Sequence, residues 1–182
     1  MGALKSDFVA RPFILLPLLL SAGCSRLPES YPPPEQRKPL TVPASTGLSY
    51  FVSMEDRNAD AYVVRGFSAR DAGTWRWALD HPVLRFLVPA TPRLRFEMDF
   101  SLPERTFRET GPVILTVRIN GEVLDRHRCE TSGQQHYSHE VPEALIRANA
   151  VNLVSIDPDP VWVSKADGTH LGFILSRAGF TE

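Results

Sequence analysis

The chain has 182 residues, 43% of them hydrophobic and 23% charged, which supports one domain with a real core and excludes an intrinsically disordered composition. Twenty Lys and Arg against 21 Asp and Glu leave a formal charge of -1, so no whole-chain field recruits nucleic acid or an anionic membrane surface. Two cysteines, Cys24 and Cys129, are the only material for a disulfide.

Residues 1–11 carry Lys5 and Arg11 and precede an uncharged, largely apolar run at 12–23. That is the length of a signal-peptide core and falls short of the roughly 20 residues that cross ~30 Å of hydrocarbon. Ser21, Ala22 and Gly23 then lead into Cys24. This stretch, LLLSAGCS, resembles the lipobox of bacterial lipoproteins, with Ser21 standing where leucine is commonest. The resemblance implies cleavage before Cys24, acylation of its thiol and of the new amine, and a membrane partner reached through lipid. Several acyl chains at ~0.8 kcal/mol per buried methylene make such an attachment stable. Ser25, in place of aspartate, is similar to the default outer-membrane sorting signal, so the resemblance implies an extracytoplasmic site in the cell envelope, at the outer membrane if the organism has one. The alternatives are an ordinary secretory peptide cut nearby and an uncleaved anchor. With Cys24 acylated, Cys129 loses its only intrachain partner and is expected to be buried and inert.

Residues 24–46 follow as a Pro-rich tether, with prolines at 28, 32, 33, 34, 39 and 43 and little apolar periodicity. Proline gives a sheet no amide hydrogen, so a polyproline-II-like spacer is expected, reaching at most ~60 Å at ~3.1 Å per residue. From residue 47 the pattern changes to strands. Candidates are 48–54, 60–68, 73–79, 83–89, 94–100, a hairpin over 112–127, 134–141, 151–156 and 170–180. In 94–100, Leu94, Phe96, Met98 and Phe100 alternate with Arg95, Glu97 and Asp99, which predicts one apolar face and one solvated charged face. Asn120-Gly121 supplies the two positive-φ positions of a type I′ turn. Only 142–150, with Pro142 fit for a first turn, reads as helix. The fold class expected is all-β, a single antiparallel β-sandwich over 47–182 with one short helix.

Several segments carry a further resemblance: RGFSARDAGTWRWALDHPVLRFLVP, LTVRINGEVL, VPEALIRANAVNLVSI and DGTHLGFILSRAGF. In this order they resemble the galactose-binding-like jelly-roll of bacterial envelope and sugar-active proteins, over about two-thirds of the chain. Here Asp167, Gly168, Thr169 and His170 stand before Leu171-Gly172, where several relatives have an Asp-Arg pair.

Trp75 and Trp77 lie two apart and on a strand would share a face; core packing is the expected use, stacking on a sugar ring the alternative. Trp162 lies in a loop-like stretch where an exposed aromatic could contact ligand, and Asp157, Asp159 and Asp167 nearby are weak calcium candidates without EF-hand spacing. His127, Cys129, His136 and His139 have no zinc-site spacing, and no Gly-x-Ser-x-Gly elbow is present, so neither a metal, a cofactor nor a catalytic residue is assigned. The reading is a lipid-anchored binding protein, not an enzyme, with Trp162, Trp75 and Asp167 as candidate contacts to envelope glycan or carbohydrate. Its rivals are an assembly lipoprotein docking another envelope protein and a hydrolase with a dispersed site.

Overall fold

The computed structural model describes residues 47–69, 73–90 and 93–182. The expected signal peptide, Cys24 and the expected tether lie outside the described residues. Eleven strands run in chain order: β1 Phe51–Ser53, β2 Val63–Phe67, β3 Arg76–Val88, β4 Arg95–Leu102, β5 Val113–Ile119, β6 Glu122–Cys129, β7 Gly133–Glu140, β8 Ala150–Asp159, β9 Trp162–Val163, β10 His170–Leu171 and β11 Phe173–Thr181. Among the described residues one α-helix, α1 (Glu104–Thr110), joins β4 to β5.

Nine strands form one antiparallel sheet in the order β6-β5-β8-β3-β11-β4-β7, with β1 on β11 and β2 on β3; β9 and β10 form a separate hairpin. The pairings nest: β5 with β6, β4 with β7, β3 with β8 and β1 with β11. That is a chain folded as one long hairpin and rolled up, the jelly-roll arrangement. The all-β sandwich read from the sequence is therefore the fold observed.

The roll turns on β3. Its residues 76–78 pair with β11, and 83–88 pair with β8, so one strand serves both layers. Between these stretches lies Pro82, which has no amide hydrogen to give a ladder and suits the place where pairing changes. The sequence suggested two strands, 73–79 and 83–89; the bend carries them through as one. Gly66 of β2 crosses this bend at φ 73°, and a Cβ there would sit 2.4 Å from the His81 carbonyl oxygen and 2.6 Å from Pro82 Cα.

Side chains alternate as the period-two pattern requires. Phe96, Met98, Phe100 and Leu102 of β4 point inward, as do Val113, Leu115, Val117 and Ile119 of β5. Phe86 of β3 meets Phe180 of β11 at 5.7 Å between ring centroids and Phe96 of β4 at 6.3 Å, edge to face, closing the two layers on each other. Asn120 and Gly121 turn the β5–β6 hairpin with φ 52° and 96°. Asn120 also donates to fully buried Asn152 (2.8 Å), whose amide and carbonyl hold the backbone of Arg147 at 2.8–2.9 Å. This fixes the loop from β7 to β8 beside the hairpin.

Two expectations need correction. The helix expected over 142–150 is one 3-10 turn, Glu143–Leu145, and Asn149 at φ 54° is in the left-handed region that ends helical geometry. The helix that does form, α1, shows little apolar periodicity; it buries Thr106, stops at Gly111 and carries the Glu104–Arg108 ion pair one turn apart. Among the described residues no helix is long and apolar enough to cross a membrane.

Gly66→Ala combines a forbidden contact with a positive φ, and its expected cost is about 2–4 kcal/mol. A lowered denaturant midpoint at unchanged slope checks it; an unshifted midpoint would mean the β2–β3 crossing is not close.

Candidate binding face

The outer face of the layer β1-β11-β4-β7 carries an ordered row of polar side chains. Asp99 of β4 stands between Arg177 of β11 and His136 of β7 in the sheet register. Its carboxylate accepts from Arg177 Nε on one oxygen and lies 2.6 Å from His136 Nδ1 on the other. One row along, Ser138 donates to Glu97 (3.0 Å), and Arg95 Nε donates to Ser138 (2.9 Å). Beyond Asp99 in the other direction lie Ser101, Ile174 and half-buried Trp77, which follow one another across β4, β11 and β3.

This row exists because β4 alternates. Its inward residues build the core, so Arg95, Glu97 and Asp99 are delivered to one outer face with neighbours on both sides. A shallow depression of about 110 Å³ opens here, lined by Phe51, Glu97, Met98, Asp99, His136, Arg177 and Thr181. Gly179 lies opposite Glu97, and a Cβ there would come within 2.4 Å of Phe51 Cα, so only glycine lets β1 lie down at its rim. The buried Thr181 hydroxyl, which lines the same depression, has no hydrogen-bond partner among the described residues.

The face offers fixed donors, Arg177, Arg95 and His136, alternating with fixed acceptors, Asp99 and Glu97. Burial alone would raise the Asp99 carboxyl, but hydrogen bonds and charge from His136 and Arg177 outweigh it and hold the group below its ordinary 3.8. Because these groups hold one another, a ligand would lose little side-chain entropy in ordering them.

The candidates read from the sequence lie elsewhere. Trp75 precedes β3 and is not on the strand; Arg76 takes the inward position, pairing with Asp60, and Trp77 faces outward. Neither tryptophan is in the core, which corrects the packing expected of them. Trp162 is on β9, half-buried, its ring N–H donating to Glu109 of α1 at 2.9 Å. Asp167 sits in the exposed β9–β10 turn, where hydrogen bonds from Ser164 and Thr169 lower its carboxyl below the usual range. Asp157 pairs with Arg118 and lies 3.2 Å from His81, while Asp159 ends β8. Among the described residues no group of three or more His, Cys, Asp or Glu is placed to hold a metal. His127 packs on buried Tyr137, and His139 lies 3.5 Å from Asp125 at the open edge between β6 and β7. Burial, with the Asp125 carboxylate beside it, raises the Tyr137 phenol well above its usual range. Cys129 is buried and its thiol is pushed up to about 11 by loss of solvent.

A second concavity lies at the end of the sandwich where β3 stops and β8 starts. Two hollows of about 350 and 310 Å³ share Pro89. The first is lined chiefly by Leu48, Tyr50, Leu87 and Val88, the second by Leu94, Val141, Glu143, Ile146 and Ala148.

No protein-family model matches the chain, and no curated protein matches its sequence. Among solved structures, the chain is similar to a family GH115 4-O-methyl-α-glucuronidase with specificity for decorated arabinogalactans, at 13% identity and TM-score 0.41, over 59% of this chain and 14% of that one. It is similar to an acetyl xylan esterase from Butyrivibrio proteoclasticus at 11% identity and TM-score 0.41, over 71% of this chain and 31% of that one. A family 35 carbohydrate binding module from an environmental isolate matches at 16% identity and TM-score 0.37, over 76% of this chain and 93% of the module. The chain thus spans less than a third of the two enzymes.

A carboxyl whose folded value is depressed stabilises the fold above its unfolded value and loses that contribution as pH falls through the folded value. Asp99→Asn should therefore lower the urea midpoint at pH 7, and the gap to the unsubstituted protein should shrink below pH 3.8. A gap that stays constant from pH 7 to pH 3 would show that the Arg177–Asp99–His136 row contributes nothing through charge.

Proposed function

We propose that this chain is a lipid-anchored, extracytoplasmic binding protein whose β-sandwich takes envelope glycan on the β11-β4-β7 face, without catalysing its turnover. The observation that carries the reading is the row Arg177–Asp99–His136 with its neighbours Glu97, Ser138 and Arg95, half-exposed and mutually hydrogen-bonded. Strands are about 4.8 Å apart, so groups on adjacent strands are set at the scale of one sugar ring. Carboxylate and guanidinium groups bind hydroxyl pairs with charge-assisted hydrogen bonds, and Trp77 in the next row offers an apolar surface to ring C–H groups. The lipobox-like LLLSAGCS supports anchoring, which would set the binding face on a tether at a membrane, where glycan of the envelope is at hand.

A second reading has its own observation. Val123, Val151 and Leu153 are 40–47% exposed on the outer face of the opposite layer, a surface suited to another envelope protein.

On a glycan array probed with the mature chain, Arg177→Ala and His136→Ala should each weaken the retained glycan about tenfold, the size of one lost charge-assisted hydrogen bond. Leu153→Asp should leave glycan binding unchanged. No glycan retained, with an envelope protein captured by the unsubstituted chain and lost with Leu153→Asp, would move the function to docking. Labelled palmitate should enter the unsubstituted chain and be absent from Cys24→Ala; label persisting in that variant would sink the anchor.

A further inference from the structure

We infer that the outer face of the layer β6-β5-β8-β3-β2 is a docking surface for a membrane rich in anionic phospholipid. The chain as a whole is near neutral, but its charge is not evenly spread. One row of the register crosses this face from Val123 of β6 through Arg118, Ser155 and Val83 to Arg65 of β2. The row beside it carries Arg126, Thr116 and Asp157, and the next carries Arg128, Ile114 and Asp159. On the other side Leu153 stands opposite Arg85, and Val151 opposite Leu87. Five arginines (65, 85, 118, 126 and 128) thus share the face with two aspartates (157 and 159). Arg118 pairs with Asp157, and Arg128 with Glu130 of the following turn. Among the described residues Arg65, Arg85 and Arg126 have no carboxylate partner; Arg85 Nε donates to the Ala61 carbonyl at 2.6 Å.

The exposed apolar side chains fall between these cations. Leu153 has Arg85 across the ladder, Val123 has Arg118, and Val64 precedes Arg65 at the irregularity in β2. The core of a protein interface is depleted of charge, so single apolar groups alternating with guanidinium groups favour lipid over protein here. On an anionic bilayer the aliphatic groups reach the headgroup–acyl boundary while the cations meet phosphate above it. A guanidinium fork matches two oxygens of one phosphate and is weakly hydrated, and arginine supplies every permanent cation of this face. Toward the end of the sandwich, Leu87 leads into the hollow it shares with Tyr50, an exposed ring of the kind that sits at headgroup level. Three arginines without carboxylate partners, at about fivefold each near an anionic surface, give a preference for this orientation on the order of a hundredfold at low salt. The row of Arg177, Asp99 and His136 lies on the other layer, so docking leaves it facing away from the bilayer, and the inference does not rest on what that row binds.

Face-specific labelling of the full chain in vesicles tests this. A polarity-sensitive fluorophore is placed at Ser155→Cys, in the middle of the face, or at Gln134→Cys, beside Ser101 on the outer face of the other layer; Cys129 is enclosed and takes no label. The vesicles are phosphatidylcholine alone or its mixture with phosphatidylglycerol. In the mixture the label at 155 should shift to the blue and be shielded from an aqueous quencher, and the label at 134 should not. Arg65→Gln and Arg126→Gln, with unchanged denaturant midpoints, should each lower the ratio of shielded to unshielded label at 155 about fivefold, and salt at about 1 M should lower it further. Equal shielding in the two kinds of vesicle or at the two positions overturns the inference, as does shielding undiminished in both arginine variants. Shielding found in native membranes but not in protein-free vesicles would assign the face to a protein partner and also overturn it. A chain held on vesicles through lipid at Cys24 with its label at 155 unshielded would keep the anchor and overturn the docking face.

Discussion

Strand β3 belongs to both layers, and the ring of Phe86 is where they meet. Pairing with β11 along one stretch and β8 along another, β3 obliges the sheet to fold over itself, and the inward rings of Phe86, Phe96 and Phe180 then pack edge to face. Removing such a ring from a closed core costs about 3–5 kcal/mol, comparable to the whole stability of a marginal domain. The surface features depend on this closure. Once Phe96, Met98 and Phe100 are committed inward, the odd residues of β4 have one place to go, and the polar row on the outer face is the other side of the core.

The two faces of the molecule divide its chemistry. The β11-β4-β7 face is held by paired charges at fixed spacing, whereas the outer face of the opposite layer is apolar at its Val151 and Leu153 end and ionic at its Asp157 and Arg118 end. A roll with separate faces and a groove at one end keeps its polar row, its apolar patch and its end hollows on distinct surfaces.

Much of the fold was legible in the sequence because strands leave a local signature. The alternation in 94–100 and the Asn120-Gly121 turn translated directly into β4 and the β5–β6 hairpin. Pro82 lies between the strands read at 73–79 and 83–89, and its use at a change of pairing partner within one strand is set by the tertiary fold. Helix α1 was missed for lack of an apolar stripe, and 142–150 was read as helix because Leu145 and Ile146 suited one, while Asn149 was not recognised as a left-handed stop. The candidate face was the least legible part. Asp99 lies 37 residues from His136 and 78 from Arg177, and only the register of three strands brings them together. The solvated charged face expected of Arg95, Glu97 and Asp99 was right in direction but gave no hint of their partners.

Cys129 carries a consequence for how such a domain is made. Its thiol is enclosed at the end of β6 and held protonated at neutral pH, so it neither attacks a disulfide nor offers itself to one. Among the described residues the sandwich is held by ring packing and strand register, with Cys129 a free thiol. Once folded, the domain shields this thiol from exchange with its surroundings.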